Sequence, residues 1–200
     1  MSSKSYQHVH KTPEDGAPLV FTFHGTGGDE HQFTGLIEQI LPQAGIVSPR
    51  GDVSEHGANR FFRRRAEGLY DMEDLGVRRE AMAKFIAAHA EAHKDAATYG
   101  LGYSNGANIL ASVQFAAPEL FDTAILMHPL IPFTPPKADF TGKRVLITAG
   151  QRDPMASAAT TQALHDYFAA NGAEASLFWH PGGHELRQEE LLEAQRLLLS

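Results

Sequence analysis

The sequence predicts an α/β fold: a mostly parallel sheet of about six or seven strands flanked by helices. Apolar runs of strand length alternate with longer segments of helical period, the pattern of successive crossover units. Several of the short runs are almost continuously apolar, as strands covered on both faces must be. No repeat, low-complexity tract or Pro/Gly/Ser-rich linker divides the 200 residues, so residues 1–200 are expected to form one domain.

The elements follow in order. YQHVH (6–10) reads as an edge strand, and LVFTF (19–23) as the first central strand. Phe33, Leu36, Ile37, Ile40 and Leu41 fall on one stripe of a helix that Pro42 ends. Gly45–Ser48 is a further short strand. Pro49 to Tyr70 has no clear period and reads as a long functional or mobile loop carrying the run RFFRRR at 60–65. Asp71 to His93 reads as a long helix with the stripe Val77, Ala81, Phe85 and Ala88. A strand at 99–103 precedes a helix marked by Ile109, Leu110 and Val113. Strands at 124–127 and 145–149 lead to a helix marked by Leu164, Tyr167 and Phe168, which Asn171-Gly172 terminates. The strand 175–179 and a helix marked by Leu191, Ala194 and Leu198 complete the chain.

Composition narrows the function classes. Lys and Arg total 17 against 24 Asp and Glu, a net charge of 17 − 24 = −7, which argues against nucleic acid as a partner. With 42% hydrophobic and 20% charged residues the chain is not of a disordered class. It has no cysteine, which excludes disulfide scaffolds, thiolate metal sites and a cysteine nucleophile. No apolar run approaches the ~20 residues that span a bilayer, and the opening MSSKSYQHVHKTPEDG carries no signal-peptide core. A soluble, cytoplasmic protein with no membrane partner is expected.

Gly102-Tyr103-Ser104-Asn105-Gly106 is a G-x-S-x-G pattern at a predicted strand-to-helix turn. Such a turn thrusts a serine hydroxyl over the sheet edge, and the glycines let the backbone bend that sharply. The hydroxyl needs a base, and the base needs a carboxylate to orient it. In this architecture the acid and then the histidine follow the serine along the chain. Asp153 lies just past the strand 145–149 and His184 just past the strand 175–179, so both are candidates to converge on Ser104. Asp139, Asp166, His165 and His180 are the rivals, less well placed on strand order or helix position. His24-Gly25-Thr26-Gly27-Gly28 follows the first central strand. The backbone N–H groups of Thr26 and Asn105 are therefore the expected oxyanion donors. The glycine spacing fits no phosphate-binding motif.

These residues resemble the phospholipase/carboxylesterase family of small α/β-hydrolases, most of all its bacterial branch of carboxylesterases from hydroquinone-resistance operons. The resemblance runs through FHGTGGDE (23–30), RFFRR-x-AEG-x-YD (60–71), GYSNGANI (102–109), HPL (128–130), DP (153–154) and GGHE (182–185). It implies an α/β-hydrolase sheet without a large cap domain, activity on short-chain carboxylic esters, and Ser104, Asp153 and His184 as the triad. Glu185, beside the proposed base, departs from the family's pattern, in which a neutral residue is common there.

Arg60, Phe61, Phe62, Ile131 and Met155 are candidate substrate-binding residues, with Phe61 and Phe62 as one wall of the pocket and Leu130, Ile131 and Phe133 as the other. The arginines at 60–65 either recognise an anionic group or pair with Glu67, Asp71, Glu73 or Asp74. His8 and His10 share one face of the edge strand, but two ligands make no metal site, so neither a metal nor a cofactor is expected. The sequence thus reads as a serine carboxylesterase acting on a small-molecule ester. The alternatives are a thioesterase or lysophospholipase taking longer acyl chains, and a non-catalytic ligand-binding protein of the same fold. The edge strand or the last helix offers a surface for a homodimer.

Overall fold

The computed structural model describes residues 6–200; the start of the N-terminal segment read above, residues 1–5, lies outside the described residues. Strand β1 (His8–Lys11) precedes β2 (Leu19–Phe23), helix α1 (Thr34–Ile40) and β3 (Gly45–Pro49). Short strands β4 (Val53–Glu55), β5 (Ala58–Arg60), β6 (Arg64–Ala66) and β7 (Leu69–Tyr70) lead to the long helix α2 (Met72–Ala92). The chain continues through β8 (Thr98–Tyr103), α3 (Asn105–Ala116), β9 (Thr123–Met127), β10 (Arg144–Gly150), α4 (Ala158–Ala170), β11 (Glu174–His180) and α5 (Gln188–Leu199).

Seven strands form one sheet in the order β1-β3-β2-β8-β9-β10-β11. Only β1, on the edge, runs antiparallel to its neighbour, with Val9 opposite Ser48. The other pairings are parallel, as the crossover helices require. Alternation along the strands splits the core in two. Leu19, Phe21 and Phe23 of β2 join the residues buried under α2, α3 and α4, whereas Val20 joins those under α1 and α5. Both sheet faces are therefore covered, and β2, β3 and β9 are buried along their whole length.

Two expectations need correction. The stretch from Pro49 to Tyr70 is not an unstructured loop: β4 pairs with β5 and β6 with β7, each pair antiparallel. These hairpins have strands of three residues or fewer, too short to show an alternating pattern in sequence. The buried stripe of α2 is Leu75, Met82, Phe85 and Ile86; Val77 is 62% exposed and Ala88 is exposed. The two stripes share Phe85. Rolling the helix toward Leu75, Met82 and Ile86 buries larger side chains than Val77, Ala81 and Ala88 would, and burial scales with apolar area. No helix among the described residues is long and apolar enough to cross a membrane.

Candidate active site

Ser104 stands between β8 and α3 with φ 51° and ψ −116°, a conformation that side chains other than glycine rarely adopt. Gly106 lets α3 start hard against β2: a β-carbon there would lie 2.2 Å from the Phe23 carbonyl oxygen. The strained turn directs the Ser104 hydroxyl to His184, whose Nε2 accepts its hydrogen bond at 2.9 Å. The opposite ring nitrogen of His184 donates to Asp153 Oδ2 at 2.7 Å. Three residues from the carboxyl ends of β8, β10 and β11 are thus brought together in the order serine, imidazole, carboxylate.

The loops that carry the last two are zipped to each other. Gln151 N–H donates to the His180 carbonyl at 2.8 Å, and Arg152 N–H to the Gly182 carbonyl at 2.9 Å. Tyr103, one residue before Ser104, donates its hydroxyl to the His184 carbonyl at 2.7 Å. Glu185 accepts from Gly183 N–H at 3.0 Å and faces Arg187.

The 24–28 loop is pinned on both sides of Thr26. His24 Nδ1 donates to the Gly25 carbonyl and its Nε2 accepts from Gly51 N–H, at 2.7 and 2.9 Å. Burial lowers the pKa of His24 against the pull of that carbonyl, so the ring sits as a neutral linker. Gly27 N–H donates to Asn59, and Gly28 N–H to Gly25. The Thr26 and Asn105 backbone N–H groups donate to no acceptor among the described residues. The Asn105 side chain, 2% exposed, accepts from Phe61 N–H at 2.7 Å and leaves its Nδ2 without an acceptor.

A narrow cleft with about 20 Å³ of free space opens over Ser104. Thr26, Arg60, Asn105, Leu130, Met155 and His184 line it. Of the expected substrate-binding residues, Arg60 and Met155 are in this lining. Phe61 and Phe62 are not: they are 1% and 0% exposed and belong to the core under α2 and α3. Two adjacent large rings contribute more by leaving water than by facing it. Ile131 lines a separate apolar groove of about 550 Å³ between the 131–135 loop and α4, next along the chain from Leu130 in the cleft. The arginine run is mostly engaged by acids. Arg60 meets Glu55 at 3.3 Å and donates to Thr26 Oγ1 at 2.8 Å; Arg63 meets Asp71 and Asp74, each at 3.5 Å; Arg64 pairs with Glu55 and Glu67. Glu55 was not among the expected partners, because the β4–β5 hairpin that presents it was not foreseen.

The dienelactone hydrolase family matches residues 7–190. The chain belongs to this family. It is a hydrolase acting on esters, and its resemblance to the small carboxylesterases stands. The chain is 39% identical to MhqD of Bacillus subtilis (strain 168) over 180 residues, 88% of this chain and 90% of that protein. Among solved structures it is similar to Atu2452 of Agrobacterium tumefaciens, a protein of unknown function, with 51% identity, a TM-score of 0.94 and coverage of 100% and 98% of the two chains. The Bacillus cereus carboxylesterase is 36% identical, with a TM-score of 0.91 over 96% and 93%.

In this dienelactone hydrolase family member a buried network continues behind Asp153, and the sequence reading missed it. His128 Nδ1 lies 3.1 Å from Asp153 Oδ2, and its Nε2 lies 3.3 and 3.2 Å from the two Glu190 oxygens. Glu190 also accepts from Thr148 Oγ1 and Arg187 N–H, both at 2.5 Å. Asp153 Oδ1 accepts from Met155 and Ala156 N–H at 2.8 and 3.2 Å. Burial opposes the charge on His128, but its bonds to Glu190 and Asp153 prevail and raise its pKa. Burial likewise opposes ionisation of both carboxylates. Bonds from His184 and Met155 to Asp153, and from His128 and Thr148 to Glu190, outweigh it and hold both below the usual range. His128, His180 and Glu190 present ligand atoms close enough to surround one cation. However, Gly182 N–H donates to His180 Nδ1 at 3.1 Å. That bond fixes the hydrogen of neutral His180 on Nε2, so no lone pair faces the cluster.

Proposed function

We propose that the chain is a serine carboxylesterase that hydrolyses short-chain carboxylic esters through an acyl-enzyme. The reading is carried by the unbroken hydrogen-bond chain from Ser104 Oγ through His184 to Asp153, at 2.9 and 2.7 Å, on a strained turn with φ 51° at Ser104. His184 Nε2 takes the Ser104 proton as Oγ attacks the ester carbonyl carbon. Asp153 keeps the imidazole in the tautomer that bares Nε2 and stabilises the imidazolium that forms. The carbonyl oxygen becomes an oxyanion within reach of the Thr26 and Asn105 N–H groups, both otherwise without acceptors. The imidazolium then returns its proton to the departing alkoxide. Water, deprotonated by the same nitrogen, attacks the acyl carbon and releases the acid, restoring Ser104.

The cleft directly above Ser104 favours small groups. The apolar groove reached past Leu130 favours a second reading, in which the acyl chain is longer and lies against Ile131, Phe133 and Ala163. A binding-only protein has no use for a strained nucleophile with an aligned base. A fluorophosphonate probe tests the reading directly: stoichiometric labelling of Ser104 in the folded protein, abolished in Ser104→Ala, is expected. An unlabelled Ser104 would overturn it.

A further inference from the structure

Three ionisable side chains that the cycle above does not use lie fully buried behind it. His128, His180 and Glu190 are 1%, 1% and 0% exposed. Removing charges from water is costly, and apolar residues of similar size commonly do as well for stability. Among the described residues, His128 is also one of three non-glycine residues with positive φ, at 52°, a backbone conformation that L residues rarely adopt. A buried, strained histidine between two carboxylates calls for a role beyond packing.

Its contacts define that role. Asp153 must hold His184 at one angle, and its own angle must therefore be held. Oδ1 is fixed by two backbone N–H groups of the following turn. Oδ2 carries the bond to His184, and the other donor on that oxygen is His128 Nδ1. His128 is itself unable to turn, because Glu190 faces its Nε2, and Glu190 is anchored in turn to Thr148 of β10 and to the backbone at the start of α5. We propose that His128 and Glu190 are positioning residues, a second histidine–carboxylate pair that clamps Asp153 so that Asp153 can orient His184; this rests on reading Ser104, His184 and Asp153 as the reacting triad.

The charges fit the part. Each His128 nitrogen faces a carboxylate oxygen, and those two carboxylates hold its pKa above the ordinary histidine value despite burial. His180 closes the cluster from the third side with its Nε2 3.2 Å from His128 Nε2 and 3.6 Å from Glu190. Arg187 contributes its backbone N–H to the cluster, while its guanidinium meets Glu185 and Glu189.

The test compares His128→Asn and Glu190→Gln with wild type, using p-nitrophenyl acetate and normalising rates to serines titrated by a fluorophosphonate. A loosened acid misplaces the base, so kcat is expected to fall about 100-fold while KM stays within about twofold. The low-field proton resonance of the His184–Asp153 bond is expected to shift or broaden in both variants. Folded variants with wild-type kcat and an unchanged resonance would overturn the inference, as would a lowered unfolding temperature with unchanged turnover per titrated serine. Should both variants fail to fold, Thr148→Val, which removes one anchor of Glu190, decides by the same two readouts. A wild-type protein whose Ser104 is not labelled would instead remove the underlying triad, and this inference with it.

Discussion

Gly150, the last residue of β10, lies against Gly183 of the His184 loop so closely that a β-carbon on Gly150 would stand 1.9 Å from the Gly183 carbonyl oxygen. Asp153 and His184 leave the sheet on these two abutting loops. The contact is backbone to backbone, so no side chain can rotate away to relieve an added methyl. Gly150→Ala is expected to fold but to separate the acid from the base, with kcat lowered about 100-fold for a shift near 1 Å. Steady-state kinetics beside a thermal melt would check this; a variant with native kcat would show that the loops slide freely.

Ser104 should be costly to stability and indispensable to turnover. Ser104→Ala is expected to lower kcat on the order of 10⁶-fold. Ser104→Gly should be equally inactive yet more stable, since φ 51° and ψ −116° suit glycine. Relief of strain less the extra chain entropy leaves a gain of about 1 kcal/mol. Urea unfolding of the two variants measures the difference, and equal midpoints would refute it.

Phe61 and Phe62 are core residues, so truncating them should act on folding. Phe62→Ala is expected to destabilise by about 3–5 kcal/mol. The relative rates on acetyl and octanoyl esters should be unchanged at temperatures where the variant stays folded. A changed ester preference without loss of stability would return Phe62 to the pocket wall.

The groove between the 131–135 loop and α4 predicts a separable effect on long substrates. Ala163, exposed on its α4 side, can be enlarged without touching the sheet. Ala163→Trp is expected to lower kcat/KM for octanoyl and longer p-nitrophenyl esters several-fold and to leave acetyl ester hydrolysis as it was. Equal effects on all chain lengths would exclude the groove from substrate binding.

Acid should weaken the fold through the opposite edge of the sheet. His89 of α2 packs against His8 and His10 of β1, and His10 against His93. Burial, then repulsion from His8, His10 and His93, pushes the His89 pKa down to about 4, and His10 is also lowered. The unfolded chain then binds more protons than the folded one below pH ~6.5, so the histidine contribution should fall from there toward pH 4 and level off beneath it. Depressed carboxylates such as Glu30 and Glu190 add to the loss as pH falls below about 4.5, their unfolded value. Urea midpoints across this range, compared with His89→Leu, measure the slope; an equal slope in both proteins would refute the assignment.

Much of this was legible from residue order. The seven main strands and the five helices follow from apolar runs and their periods, because each signal is local. The meeting of Ser104, Asp153 and His184 was legible because each follows a strand, and strand ends in a parallel sheet share one edge. What failed depended on contacts between distant segments. The α2 stripe is set by which side chains the sheet can cover, and the burial of Phe61 and Phe62 by hairpins with strands too short for a periodic signal. Glu190 reads as one more acid in QEELLEAQ until α5 docks its first turn under β9 and β10. His128, in the HPL that ends β9, carried the one available signal: a histidine at a strand's carboxyl end, as for His184.

The space over Ser104 admits about one water. In the proposed acyl-enzyme cycle, alcohol and water compete for the same place beside His184. An alcohol that lingers there blocks hydrolysis and can recapture the acyl group, so added alcohols should divert product from acid to new ester in proportion to how well they fit. In that cycle, a site this confined favours ester exchange wherever the alcohol outcompetes water.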